Sequence, residues 1–465
     1  MKQIQPFRLG ILPVMIDLYN RMRGDECRQL KEAAMKAAVA LGSETLDVSV
    51  GELVATEQQV RSVCEKLLRE GIDLLIVGHV AYAPSGELAD ALVDVDAPVL
   101  LWPIQPMLEL KPDAYDDDAV FLNHGVHGTQ DLANVLRRRG RPFGLLHGHY
   151  QQADFCKELL EWARAARAIR AMQSANPVQV GGHFENMLDL QIGQATFPKL
   201  KPHVVSLDQF ARRMEAVGER GVAETIEQYR LAYDISPDMN EAILAKSARG
   251  EIALRQILEE KKSRAVGINF LTLCNDKRIA DGLHVAASRL MVEGCGYGGE
   301  GDWATAVMGL GMSQAFVESS FTEIFSVGYE DHRLVLKHWG EGNTALARKE
   351  TKARLCKSTF KDRISTEFAI VDFEFAPGPA TLVNLNVTPA GAGQVISIAG
   401  QIEPDHLPKV TGPRAVFKPK ASDIRTLLTE YASHGGSHHL TLVKNNGVNV
   451  LEKMGKLLGW SHIKL

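Results

Sequence analysis

Apolar positions in the first third of the chain fall into short runs separated by amphipathic stretches. Arg8 to Val14 and Ile72 to Val77 (IDLLIV) are such runs, and Pro98 to Trp102 and Phe143 to Leu146 repeat the signature. Runs of this length with little polar alternation suit strands buried on both faces. Between them, Asp25 to about Leu41, closed by Gly42, and Glu57 to Glu70, closed by Gly71, carry helical periodicity, with Asp25 expected to cap the first. Strand, helix, strand at this spacing predicts a doubly wound parallel sheet with helices on both faces. Such sheets present ligands at the carboxyl ends of their strands. Two histidine-bearing loops are expected there, Gly78-His79-Val80-Ala81-Tyr82 and FLNHGVHGTQD (residues 121–131).

A second α/β segment begins near Pro177. It holds a long helix, Met239 to Glu260, a strand, Ala265 to Leu271, and a helix, Gly282 to Glu293, that leads into a glycine-rich loop. Beyond residue 360 the texture changes. FAIVDFEF, ATLVNLNV and QVISIAG alternate apolar with polar positions and are punctuated by Pro and Gly, which predicts antiparallel strands. The expected organisation is three domains: an amino-terminal doubly wound parallel-sheet domain (residues 1–177), a second α/β domain (178–316) and a β-rich carboxy-terminal domain (317–465).

Charge narrows the classes of partner. The 52 Lys and Arg against 57 Asp and Glu give a net −5, which argues against a nucleic-acid or anionic membrane surface as partner. No run of about 18 apolar residues occurs, and the apolar start has no small-residue cleavage site, so a soluble, cytoplasmic protein is expected. The six cysteines are scattered without a CxxC pair, which argues against a disulfide framework or a cysteine-bound zinc. Arg137 to Arg141 (RRRGR) reads as cations at the negative end of a helix.

The glycine loop Gly296-Tyr297-Gly298-Gly299-Glu300-Gly301-Asp302-Trp303 formally contains G-x-G-x-x-G. A dinucleotide reading fails on two grounds: the motif follows a helix, and Glu300 and Asp302 would repel a pyrophosphate. The acids are more informative. Glu300 projects from between glycines, and Glu323 lies in the mostly apolar SSFTEIF, where an unpaired charge is costly to bury. His338 lies in KHWGEGN, and His438 and His439 follow two glycines and a serine. Taken singly, each is more often a surface acid or a structural histidine. Together they make a divalent-metal set of mixed oxygen and imidazole donors, which suits Mn²⁺ and, less specifically, Co²⁺ or Mg²⁺.

The segments HGVHGTQDLANVLRRRGRPF, GGHFENM, GYGGEGDW, SFTEIF, KHWGEGN and GGSHH occur in an order that resembles the L-arabinose isomerase family. The resemblance runs from about residue 70 to His439; the related L-fucose isomerases match these strings less well. It implies a doubly wound domain, a second α/β domain and a β-barrel-like carboxy-terminal domain. It implies metal ligation by Glu300, Glu323, His338 and His439, with Asp302 supporting the loop and His438 close to the metal. It places His127 on the substrate from a neighbouring subunit, and Tyr82 and Met187 among the pocket walls. The implied assembly is a homo-oligomer, trimer-based or a hexamer, with pockets at subunit interfaces.

The implied chemistry is interconversion of a free monosaccharide aldose and its ketose. The metal would polarise the carbonyl, and Glu300 and Glu323 would relay protons. The departures from the family concern the pocket. No glutamine stands in Gly10 to Tyr19, His124 replaces a glutamine, FLTLCND lacks the expected threonines, and His79 to Pro84 reads HVAYAP. An intact metal set with altered walls implies the same reaction on a different sugar, either an L-arabinose-like pentose or a related hexose or deoxy sugar. A metal-dependent epimerase or lyase, and a non-catalytic sugar-binding sensor on the same fold, are the other classes.

Overall fold

The computed structural model describes residues 5–22, 24–360 and 364–465. Its chain groups into two compact units, residues 1–170 with 449–460 and residues 171–448 with 461–465.

In the first unit a five-stranded parallel sheet runs in the order Leu46–Val50, Phe7–Val14, Leu74–His79, Val99–Pro103, Gly144–Leu145. The chain winds first to one side of Phe7–Val14 and then to the other, which is the doubly wound pattern. All six residues of Leu74–His79 are buried, as its unbroken apolar run requires. Helices Gly24–Leu41, Glu57–Arg69 and Gly125–Arg138 accompany this sheet. The capping side chain read for Asp25 lies outside the described residues.

Two expectations change here. The third strand extends through Gly78 and His79, so His79 belongs to the sheet and not to a loop. The HGVHGTQD segment is not a loop either; its residues open the helix Gly125–Arg138. The glycines that suggested a loop are contact points. A Cβ on Gly125 would lie 2.1 Å from the His79 carbonyl oxygen, and one on Gly128 would lie 2.5 Å from the His79 ring. Only glycine lets this helix lie directly on the strand end.

In the second unit a four-stranded parallel sheet runs Gly296–Gly298, Ala265–Ile268, Val178–Val180, His203–Val205. The long helix is Glu241–Glu260, capped by Asn240, whose side chain accepts from the Ile243 amide at 3.0 Å. The strand expected over 265–271 stops at Ile268, because Asn269 caps a short helix, Phe270–Asn275. The glycine segment is also not wholly a loop: Gly296–Gly298 is an edge strand paired to Ala265–Gly267.

The β-rich part holds a ten-stranded sheet, six of whose strands close on themselves. Around the ring they are Ser319–Gly328, Arg333–Lys337, Pro413–Pro419, Gly393–Ile402, Gly378–Val387 and His439–Val443, every pair antiparallel. The fold is therefore the expected doubly wound domain, second α/β layer and barrel-like β region. Cys64, Cys156, Cys274, Cys295 and Cys356 are free. Among the described residues no helix is long and apolar enough to cross a membrane.

Candidate metal and sugar site

Three neighbouring barrel strands bring most of the predicted site together. Glu323 pairs directly with Lys337 on one side and with His439 on the other, so His338 and His439 flank it. The Phe321 ring stands edge-on to both imidazoles, at 4.9 Å from His338 and 4.8 Å from His439. Glu300 comes from the other layer, in the turn after the edge strand. Its backbone is left-handed (φ 52°), a strain of about 1–3 kcal/mol for a non-glycine residue. Glycines make the turn possible: a Cβ on Gly301 would lie 2.0 Å from the Gly182 carbonyl oxygen, and one on Gly298 would lie 2.0 Å from that of Asp302. Asp302 then caps the helix Trp303–Phe316, accepting from the Thr305 amide at 3.0 Å. A strand, a glycine turn and a helix are thus present after all, but the helix start is occupied by its own Asp302 and lies beside Glu300. The dinucleotide reading fails on that charge.

The imidazoles share one arrangement. Each has its Nδ1 on a carboxylate: His338 on Glu341 at 2.7 Å, His439 on Asp302 at 2.9 Å, His438 on Asp189 at 2.7 Å. Each then turns Nε2 toward the glutamates. His439 Nε2 hydrogen-bonds Glu300 and lies 3.4 Å from Glu323. His338 Nε2 lies 3.3 Å from Glu323 and 3.7 Å from Glu300. His438 Nε2 lies 3.8 Å from Glu300. Glu300 and Glu323 are only 5% and 8% exposed, so this charge is held by partners and not by water.

Burial works to raise the Glu300 carboxyl, but the imidazoles of His338, His438 and His439 that face it hold it well below the usual range. Burial likewise opposes Glu323, and His338 and His439 bring it down to about 2. Against their burial, Glu341 first and then Glu323 and Glu300 hold His338 well above the ordinary imidazole value, and Asp302 first and then Glu300 and Glu323 do the same for His439.

Ligand atoms of Glu300, Glu323, His438 and His439 all lie within 4.8 Å of one another, a set able to hold a metal ion. His338, the expected third member, is not in that tight set, yet its Nε2 faces the same two carboxylates, buried and without a hydrogen-bond partner. Glu341 was not singled out from sequence as a site residue. It is fully buried, with its carboxylate taking His338 Nδ1, the Tyr297 hydroxyl at 2.6 Å and the Gly340 amide at 2.9 Å. Its signal was present, since it is an acid between two glycines three residues after a candidate ligand.

The remaining predicted residues belong to other segments of the chain. In the amino-terminal unit His127 is exposed in the first turn of its helix. His124, just ahead of it, has Nδ1 on the Phe121 carbonyl at 2.7 Å and Nε2 on the Tyr19 hydroxyl at 2.9 Å. Tyr82 is half-buried after the third strand. Met187, in the second unit, is half-buried ahead of the turn that carries Asp189.

Two family models match the chain: that of the L-arabinose isomerase N-terminal domain over residues 18–174 and that of the L-arabinose isomerase central domain over residues 199–315. The chain belongs to the L-arabinose isomerase family. Relatives bearing that name are spread over much of its length. The L-arabinose isomerase of Thermotoga sp. (strain RQ2) is 28% identical over 78% of this chain and 75% of its own length. That of Acidothermus cellulolyticus is 25% identical over 78% and 74%, and that of Halalkalibacterium halodurans 23% identical over 94% and 90%. The N-terminal match to this family contains Tyr82, His124 and His127, and the central match contains the Glu300 turn and Asp302.

Proposed function

We propose that this protein is a metal-dependent aldose–ketose isomerase acting on a free monosaccharide, an L-arabinose-like pentose or a related hexose or deoxy sugar. Family membership supports the reaction class. The observation that carries the metal dependence is the pair of buried carboxylates faced by imidazole Nε2 atoms whose Nδ1 positions are fixed by other carboxylates. That is the arrangement of metal-ligating histidines.

The donor set fits a divalent ion. Glu300, Glu323, His338 and His439 would hold it: His338 is buried with its Nε2 turned to both carboxylates, whereas His438 is the more exposed imidazole. Two carboxylates with two imidazoles suit Mn²⁺, with Co²⁺ or Mg²⁺ as alternatives. When bound, the ion would polarise the sugar carbonyl and stabilise the charge that develops on the two sugar oxygens. Glu300 and Glu323 are ionised at neutral pH and thus able to take the carbon-bound proton and return it to the adjacent carbon. General acid–base catalysis of this kind contributes about 10²–10⁴-fold. Asp302 and Glu341 hold His439 and His338 in place. Tyr82, His124, His127, Met187 and His438 are the proposed substrate contacts, with a homo-oligomer completing the pocket as the family resemblance implies. The altered walls, His124 and the HVAYAP string among them, favour a sugar preference different from that of the named relatives.

The test is a panel of aldoses and ketoses incubated with Mn²⁺-loaded protein and followed by NMR. At least one pair should interconvert, and turnover should collapse in Glu323→Gln. If no pentose, hexose or deoxyhexose interconverts, the proposal is wrong.

A further inference from the structure

The three imidazoles of the site differ in one respect. His338 and His439 are buried, and so are the carboxylates on their Nδ1 atoms, Glu341 and Asp302. The His438 and Asp189 side chains are 38% and 44% exposed. The His438–Asp189 pair is therefore the one on the solvent side of the cluster, where an incoming sugar would first meet protein. Asp189 reaches it from the short turn Leu188–Leu190, and two hydrogen bonds converge on its Oδ2. His438 Nδ1 lies at 2.7 Å, and the His438 backbone amide donates at 3.4 Å. The second contact fixes the carboxylate against the main chain from which the ring springs, so ring rotation costs a hydrogen bond.

A carboxylate accepts hydrogen bonds and does not donate them. Asp189 lies within hydrogen-bond reach of Nδ1 at 2.7 Å, whereas Glu300, at 3.8 Å, is beyond reach of Nε2, so in the neutral ring the single proton sits on Nδ1. The lone pair is left on Nε2, the atom turned toward Glu300. We infer that Asp189 is a positioning residue that fixes the tautomer and orientation of His438, so that Nε2 accepts a hydrogen bond from a hydroxyl of the sugar. The inference rests on the isomerase reading for the sugar, but not for the pairing itself. Asp189 lies 249 residues from His438 in sequence, and no local motif announces it.

Two measurements test it. The first is spectroscopic: in histidine-¹⁵N-labelled, Mg²⁺-loaded protein at alkaline pH, the His438 ring, assigned by its loss in His438→Gln, should show the Nδ1–H tautomer. In Asp189→Ala it should shift toward the Nε2–H form. An unchanged tautomer in Asp189→Ala would overturn the inference whatever the enzyme does. The second is kinetic. Asp189→Ala and His438→Gln should each lower kcat/KM for the best sugar by about tenfold, mostly through KM, with Mn²⁺ affinity unchanged within about twofold. The double variant should lose no more than His438→Gln alone, because the two residues act as one unit. Multiplying losses, or a parallel loss of Mn²⁺ affinity, would overturn the inference. A wild type that converts no sugar would sink the isomerase reading and leave the tautomer result standing.

Discussion

Glu341→Gln tests the architecture most directly, because it changes one buried atom and keeps the shape. One oxygen of Glu341 takes the Tyr297 hydroxyl at 2.6 Å and His338 Nδ1 at 2.7 Å; the other takes the Gly340 amide at 2.9 Å. Glutamine replaces one acceptor with a donor. If its NH₂ faces Gly340, two N–H groups oppose each other in a buried space. If the amide flips, the NH₂ faces His338, which can accept at Nδ1 only by moving its proton to Nε2. That is the atom that looks onto Glu300 and Glu323, and a protonated Nε2 cannot ligate. Either orientation leaves a buried donor unsatisfied, at about 1–3 kcal/mol, or misdirects the ligand. Loss of a carboxylate behind a metal-binding histidine weakens the metal by about 10–100-fold. Mn²⁺ titration followed by the EPR signal of the free ion should show that loss, and urea unfolding of metal-free protein should show the destabilisation. Unchanged Mn²⁺ affinity together with unchanged stability would refute the reasoning. Lower stability with normal Mn²⁺ binding would show that His338 is not a ligand.

Three further outcomes follow from the same geometry. The carboxylates around His338 and His439 hold both rings protonated above the ordinary imidazole range, against their burial. Metal binding must expel those protons, so Mn²⁺ affinity should rise with pH by about tenfold per unit for each proton released. Calorimetry in two buffers of different ionisation heat counts the protons, and a count of zero contradicts imidazole ligation. Burial pulls His79 from 6.5 down to about 3, so the folded chain refuses a proton that the unfolded chain accepts. Its stabilising contribution is complete above pH 6.5 and is lost as pH falls toward 3, up to about 5 kcal/mol. His79→Leu should flatten that acid limb in a pH series of urea melts, and an identical limb would refute the assignment. Gly296→Ala would put a Cβ 1.8 Å from the Ala306 carbonyl oxygen and 2.5 Å from the Leu310 amide, both rigid backbone. It should cost at least about 1–3 kcal/mol and weaken Mn²⁺ binding, while Gly86→Ala, with open space around it, should do neither.

What the sequence revealed divides along physical lines. The parallel strands were legible because burial on both faces leaves an unbroken apolar run such as Leu74–Val77, whatever surrounds it. The helix over HGVHGTQD was not, because glycine weakens helical periodicity in the sequence while permitting the close approach to His79 in the fold. Closure of the barrel was not derivable from local pattern either. It depends on Gly393–Ile402 meeting Pro413–Pro419 on an edge that alternation does not label.

The site itself shows the same division at the scale of single atoms. Residue type told which groups could bind an ion, since carboxylates beside glycines and a paired histidine are visible in one dimension. It could not tell which nitrogen of each imidazole faces inward, because that is decided by whatever sits on the other nitrogen. The three deciding carboxylates lie 3, 137 and 249 residues from their histidines. Only Glu341, at a spacing of three, leaves a local trace beside its histidine. Asp302 is visible for a different reason, as the cap of a helix, and its second duty to His439 needs the barrel to be closed. Asp189 has no trace at all. Ligand identity is thus carried by composition and local context, and ligand direction by long-range folding.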